Sequence, residues 1–303
     1  MVERQRRLRG GGGETLKKNY GPVYVAPLTV WLGVFFVVPV SIIIYYSFLK
    51  KGFNGGVMHE FSLDAFRALY NPTIFKIAFN TFWVACASTA VMVALAIPAS
   101  YFMARSRRKN LYMLLVIVPF WTNFLIRVYA WMAILGNNGI LNSTLISMGL
   151  IHEHIQFLYN TNAVILVTVY TYLPFAILPL YSTIEKFDFS LVEAARDLGA
   201  TKWIATVRVL LPNIRGGITT AVLFTFIPAF GNYAVPQIIG GSDSYMLGNV
   251  IARELTVTRN WPLASSISMA LTALTTLGVL LFMRLNRSSM ESAREKVGKG
   301  AAA

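Results

Sequence analysis

Six long apolar stretches constrain this chain more than any other feature of its sequence. The hydrocarbon core of a bilayer is about 30 Å thick, so a helix needs about 20 apolar residues to cross it. The stretches that reach this length cover residues 25–48, 77–103, 111–135, 163–181, 218–239 and 264–283. The pattern predicts an all-α integral membrane protein with six transmembrane helices.

The composition agrees with a membrane protein and excludes other classes. Of the 303 residues, 55% are hydrophobic and 13% are charged, whereas a soluble domain has about 25% charged residues. The net charge of +14 does not require a nucleic-acid partner, because cytoplasmic loops of membrane proteins are rich in Lys and Arg. Cys86 is the single cysteine, which excludes an internal disulfide, and with three His it argues against a metal site.

The distribution of basic residues predicts the orientation. Of the 27 Lys and Arg residues, 20 lie in the segments on the side of the two termini and six on the opposite side, with Arg127 inside the third stretch. Because Lys and Arg accumulate in cytoplasmic loops, both termini are expected in the cytoplasm. The first stretch is longer than the apolar core of a signal peptide, about 7–15 residues, so we expect an uncleaved helix.

These patterns divide the chain into four parts. Residues 1–20 contain a run of four glycines and are expected to form a disordered cytoplasmic tail. A first transmembrane helix follows at 25–48. The five other helices form a core over 74–287, and residues 288–303 form a cytoplasmic C-terminal tail. Within the core, residues 184–215 form the most patterned loop, which we call the 184–215 loop.

Local signals within the 184–215 loop predict two short helices. Ser190 and Glu193 have the spacing of a capping box, in which each side chain bonds the other's backbone N–H. Gly199 stands where a left-handed residue ends a helix. Thr201 is placed to cap a second helix, and Pro212 to end it or to begin the next span.

The first of these helices also has an apolar face. Leu191, Ala194, Ala195 and Leu198 recur at helical spacing, and the alanine pair allows another surface to approach closely. The loop has no group of residues suited to catalysis.

The same loop resembles a known family signature. It is similar to the "EAA" motif of ABC importer permeases. The motif reads here as Glu193-Ala194-Ala195, three residues, Gly199, nine residues and then Val209-x-Leu211-Pro212. Val209 stands where the family usually has Ile. Other segments resemble the spermidine/putrescine permease subfamily, and these are residues 119–129, 180–186, 239–241, 248–251 and 259–262.

The resemblance implies a fold, partners and a location. The fold would be that of a type I ABC importer permease in a bacterial inner membrane. The partners would be an ABC ATPase dimer, a second permease subunit and an extracytoplasmic solute-binding protein, with membrane lipid around the helices. The chain itself would be non-catalytic and without a cofactor. The residues that would contact the ATPase are Glu193, Ala194, Ala195, Asp197, Gly199, Leu211 and Pro212.

Candidate residues for the translocation pathway come from charge and from helix breaks. Arg127 is predicted in the outer third of its span. Because a charge inside a membrane is costly, such a residue usually has a function or a partner. Arg127 could therefore pair across the bundle or line the route. Trp121, Asn123, Asn232 and Tyr233 lie near prolines that would unwind a helix, as happens around transporter cavities. The aromatic members could equally belong to an interfacial belt.

Two alternatives remain open from the residues. The solute could be a polyamine, or an opine, another amine or a metal complex. The chain could also be a self-sufficient secondary carrier, although its six stretches contain no Asp or Glu, which coupled carriers usually need. No Gly-x-x-x-x-Gly-Lys-Ser/Thr motif is present, so we expect nucleotide to bind a partner.

Overall fold

The computed structural model describes the backbone of residues 21–300 and the side chains of residues 24–284. The predicted disordered tail at 1–20 lies outside the described residues. The chain divides into two compact units, one up to Tyr45 and one from Tyr46 onward. The described part contains five helices long and apolar enough to cross a membrane, or six if one bent pair counts as a span.

The N-terminal unit is a single apolar helical run. It comprises α1 (Gly21–Leu32), a π-helical turn (Gly33–Val37) and most of α2 (Val38–Ser47). Residues 24–47 have a mean hydropathy of 2.3, so this run has the length and the composition of the predicted first span.

Three helices form the core of the second unit. They are α4 (Pro72–Arg105), α8 (Thr161–Glu185) and α12 (Arg215–Phe230), and each packs against the other two. Gly217 permits the closest approach, since a Cβ there would lie 2.5 Å from the Thr183 hydroxyl oxygen. A small residue is therefore required where α8 meets α12.

The third apolar stretch, predicted as a span over 111–135, is broken beside Pro119, where an unwound turn was expected, and its long apolar part lies farther along the chain at 124–147. The helix α5 (Lys109–Ile117) passes into a 3-10 turn that ends at Trp121. Thr122 is extended, and the side chain of Asn123 accepts a hydrogen bond from the Leu125 N–H, 2.8 Å away, to start a new helix. The apolar span then runs through α6 (Phe124–Leu135) and α7 (Ile140–Ser147), giving the candidate span 124–147.

The fifth stretch, predicted at 218–239, is also divided. The helix α12 ends at Gly231, and α13 (Ala234–Ile239) begins after two further residues. On its other side, α12 meets the helical segment Lys202–Asn213 at an angle of 72°. The segment that enters the span from the 184–215 loop is therefore sharply bent.

The ends of the second unit carry the remaining elements. An antiparallel hairpin of β1 (Leu49–Lys51) and β2 (Val57–Phe61) precedes the short helix α3 (Asp64–Ala68). After α13, the chain forms α14 (Leu247–Thr256) and then α15 (Trp261–Gly300).

The hairpin and the loop around residue 259 lie together. The Gly56 N–H donates to the Arg259 carbonyl over 2.8 Å, and the Asn80 amide donates to the carbonyls of Asp243 and Tyr245. These segments all belong to the predicted outer side, and they meet at one end of the unit.

Candidate functional site

The 184–215 loop folds as the two predicted helices. The first is α9 (Ser190–Asp197). The second begins with α10 (Lys202–Ala205), continues through a π-helical turn (Thr206–Leu210) and ends in α11 (Leu211–Asn213). Pro212 lies within the first two residues of α11, and the following helix starts at Arg215.

The junction between the two helices has the predicted left-handed glycine. Gly199 has a φ of +90°, and its N–H donates to the Arg196 carbonyl over 2.9 Å. The Ala200 N–H donates to the Ala195 carbonyl over 3.0 Å, which completes a Schellman motif. Thr201 caps the second helix by accepting from the Ile204 N–H at 3.3 Å, also as predicted.

The predicted capping box of Ser190 and Glu193 is wrong. The carboxylate of Asp188, two residues before the first residue of α9, instead accepts from the Ser190 N–H at 3.0 Å. Hydrogen bonds from the Ser190 hydroxyl and N–H lower the pKa of the Asp188 carboxyl. Glu193 does not reach back to the helix start, since its side chain lies 3.9 Å from Arg105.

Ion pairs join the 184–215 loop to the end of α4 and the start of α5. Arg105, the last residue of α4, lies 3.9 Å from Glu193 and donates a hydrogen bond to the Tyr101 hydroxyl over 3.1 Å. Its guanidinium lies 5.2 Å from the centre of the Phe189 ring. Lys109 and Glu185 form a second pair at 2.6 Å. The predicted inner segments therefore meet at the end opposite the hairpin.

The first helix of the loop is apolar on two sides, whereas the sequence suggested one face. Val192 is buried, and Ala195 packs against the same hydrophobic core. Ala194 is exposed, and so are Leu191 and Leu198, which are 47% and 90% exposed. The inward side holds the helix in place, and the outward side leaves an apolar strip without cover from the described residues.

A concavity of about 520 Å³ lies beside this strip, and Glu193, Asp197 and Gly199 are among its lining residues. The structure thus brings these three predicted contact residues together, with Ala194 on the adjacent exposed face. Leu211 and Pro212 lie at the far end of the loop and are half-buried. Among the described residues, no group of three or more His, Cys, Asp or Glu could hold a metal ion.

The first group of candidate pathway residues surrounds the break in the third stretch. Trp121 is 77% exposed, and Asn123 is exposed apart from its role as a helix cap. Arg127 is half-buried, with its guanidinium 5.3 Å from the centre of the Phe120 ring. Its Nε is buried and has no hydrogen-bond partner among the described residues.

The second group lies between α12 and α13. Asn232 is buried, and its side-chain oxygen accepts from the Val235 N–H at 3.3 Å, while its Nδ2 lacks a partner in the described part of the chain. Tyr233 is 53% exposed, and its carbonyl accepts from the Asn249 amide. Because α13 packs against α6, the two breaks belong to neighbouring elements.

Sequence reasoning missed the contacts that join distant segments. Lys109 and Glu185 are 76 residues apart, and no local pattern links them. The hydrogen bond at Asp188 did have a local signal, because Asp side chains often accept from the backbone N–H two residues later and form a turn.

The fold defines a class of protein, a helical membrane protein with a two-helix loop at one end. The chain belongs to the family of inner membrane components of binding-protein-dependent transport systems, whose family model matches residues 92–290.

Relatives of nearly full length support this membership. The chain is 36% identical over 274 residues to the spermidine/putrescine transport system permease protein PotB of Haemophilus influenzae, which covers 90% of this chain and 96% of that protein. It is 36% identical over 265 residues to the protein of the same name from Escherichia coli, covering 87% and 96%. It is 29% identical to the inner membrane ABC transporter permease protein YdcU of Escherichia coli, covering 79% and 81%.

A solved structure shows the same fold. A chain of a bacterial ABC transporter that imports the acidic polysaccharide alginate superposes with a TM-score of 0.72 at 16% identity, covering 89% of this chain and 96% of that chain. The likeness confirms the predicted fold class, to which the structure adds the small hairpin.

Proposed function

We propose that this chain carries polyamines, spermidine or putrescine, across a bacterial inner membrane as one of two permease subunits of an ATP-driven importer. The support for the solute is the 36% identity to polyamine permeases over nearly the whole of both chains. An ABC ATPase dimer docks on the 184–215 loop, and an extracytoplasmic binding protein delivers the solute.

The exposed side of α9 carries the proposal for ATPase docking. Leu191, Ala194 and Leu198 form an apolar strip beside a concavity, at the end of the molecule where the basic segments meet. Exposed apolar surface beside polar residues is typical of a protein interaction site. The hairpin end then faces the outside, and both termini lie in the cytoplasm.

The proposed mechanism is alternating access. Closure of the ATPase dimer moves the loop, and because α9 is anchored to the core by Val192, the movement reaches the packed helices α4, α8 and α12. The route opens outward, receives the solute from the binding protein, and closes again after hydrolysis.

The route itself is proposed to hold the solute weakly. Trp121, Asn123, Asn232 and Tyr233 supply aromatic faces and amide groups at the two helix breaks, and Arg127 lies near the first. No carboxylate lies within the interior of the candidate spans of the described residues, so strong attraction of a polycation is absent there. Tight recognition then belongs to the binding protein.

Uptake measurements test the solute. Cells without their own polyamine importers would express this chain with the partners encoded beside it, and uptake of labelled spermidine and putrescine would be followed. We expect saturable uptake that each unlabelled polyamine inhibits. Recovery of a different solute from the co-purified binding protein, with no polyamine uptake, would contradict the proposal.

A pair of variants tests the docking surface separately. Leu198→Asp places a charge on the exposed strip and is expected to abolish co-purification of the ATPase. Phe53→Asp is the matched control, because Phe53 is 97% exposed but lies in the hairpin at the opposite end. Equal recovery of the ATPase with both variants would refute docking at α9.

A further inference from the structure

A second cavity, of about 750 Å³, lies between the lower half of α4 and the 184–215 loop. Its apolar lining includes Ala94 and Ile97 from α4 and Val192, Leu210 and Leu211 from the loop. The volume falls within the range of about 300–1,000 Å³ that is typical of small-molecule sites. An apolar wall of this kind suits a hydrocarbon chain.

The mouth of the cavity is basic. Arg105, Arg196 and Lys202 line it, together with Glu193 as the one carboxylate among the lining residues. Arg105 and Glu193 face each other across 3.9 Å, so their charges are mutually compensated. Arg196 and Lys202 are exposed and make no ion pair with any described residue. Two uncompensated cations therefore stand above an apolar interior.

The depth of the cavity relative to the membrane distinguishes between occupants. Arg105 is the last residue of α4, which is a candidate membrane span, and Ala94 precedes it by eleven residues. At about 1.5 Å per residue, the wall extends about 16 Å from the helix end. The predicted span 77–103 ends two residues before Arg105, which puts Ala94 and Ile97 on the hydrocarbon side of the predicted boundary. A soluble partner would not reach there, whereas a lipid places its headgroup at the boundary and its chain below.

We propose that this cavity binds an anionic phospholipid. The phosphate lies between Arg196 and Lys202, and an acyl chain lies against Ala94, Ile97 and Leu210. Trp203 also lines the cavity and is 75% exposed, which suits an aromatic residue at the headgroup level. Basic pockets between transmembrane helices at the cytoplasmic side bind anionic headgroups. The inference does not depend on which solute is transported.

Native mass spectrometry of the purified importer complex tests the site, with phosphatidylglycerol as the probe. Arg196→Gln combined with Lys202→Gln removes the two free cations, and we expect phosphatidylglycerol binding about 30-fold weaker, since each charge contributes about fivefold. The control is Arg107→Gln combined with Arg108→Gln. These two exposed cations lie at the same end of the chain and do not line the cavity, so binding should be unchanged.

A second variant tests the apolar part while the charges stay in place. Ala94→Phe adds a ring to the apolar lining of the cavity at an exposed position of α4, so the fold should persist. We expect loss of phosphatidylglycerol, and a photoreactive phosphatidylglycerol should label the peptide that contains Ile97 in the parent complex but not in this variant.

Three results would overturn the proposal. Equal retention of phosphatidylcholine and phosphatidylglycerol would show that the basic mouth selects no headgroup. Displacement by inorganic phosphate, with Ala94→Phe without effect, would indicate a phosphate site instead of a lipid site. Cross-linking of a cysteine at position 94 to a partner subunit would show that a protein fills the cavity. None of these outcomes depends on which solute is transported. Because Arg196 and Lys202 also line the concavity beside the apolar strip of α9, recovery of the ATPase with the double variant is measured on the same sample, and only loss of phosphatidylglycerol from a complex that keeps its ATPase supports the lipid site.

Discussion

The sharpest consequence of the left-handed glycine is that the two helices of the 184–215 loop need an achiral residue between them. Gly199 has a φ of +90°, and a Cβ built there would meet no atom within 4 Å. A substitution would therefore act through backbone strain alone, without any clash. For an ordinary L-residue this strain is about 1–2 kcal/mol.

The magnitude follows from that strain. Each 1.4 kcal/mol is a factor of ten, so a strain of about 1–2 kcal/mol reduces the population of the native loop about five- to thirtyfold against a relaxed alternative. Because Asn tolerates positive φ better than other residues, we expect the order Gly199→Asn, Gly199→Ala and Gly199→Val, from mildest to most severe. The membrane helices should assemble normally in all three.

The assay compares ATP hydrolysis stimulated by the loaded binding protein with transport into proteoliposomes. Gly216→Ala is the matched control. A Cβ added at Gly216 would also meet no atom within 4 Å, but Gly216 lies in a helix and has no positive φ. This variant should be neutral or slightly stabilising. If Gly199→Val assembles and couples as the parent does, the loop is not the transmission element. If Gly199→Asn is as damaging as Gly199→Val, strain is not the cause.

Three further predictions concern packing, orientation and affinity. Gly217→Ala should destabilise the complex by about 1–3 kcal/mol through overpacking, and adding Thr183→Ala should recover part of the loss in thermal unfolding. On a Cys86→Ala background, a cysteine at position 196 should not react with an impermeant thiol reagent added outside intact cells. Labelling of that cysteine in intact cells would contradict the proposed orientation. Calorimetry of the complex without its binding protein should detect no micromolar polyamine site, and such a site, lost in Tyr233→Ala, would refute weak binding.

Local signals predicted the elements whose cause is local. The stop at Gly199 and the cap at Thr201 depend on one backbone conformation and one short hydrogen bond, and both are confirmed. The approximate positions of the apolar helices predicted at 25–48, 77–103, 163–181 and 264–283 follow from hydropathy alone. The capping box was wrong because Asp188 competes for the same helix start and Glu193 has a distant partner.

The remaining differences come from contacts that span the sequence. Nothing near Glu193 indicates that Arg105 will lie beside it, because that proximity depends on how α4 and α9 pack. The bounds of the third span differ for another reason. Pro119 indicated an unwound turn, but hydropathy does not show that the extended Thr122 and the cap from Asn123 begin a new helix, which extends the apolar span to residue 147.

The bend before α12 determines the direction in which a force from the loop would travel. With 72° between the segment Lys202–Asn213 and α12, a displacement along the segment has about a third of its length along α12 and nearly all of it across that helix. A push from the ATPase along the segment would therefore move α12 mainly sideways, across its own axis, and only slightly along that axis. The far end of α12 is Gly231, next to Asn232 and Tyr233, so this sideways movement would be largest where the solute is proposed to pass.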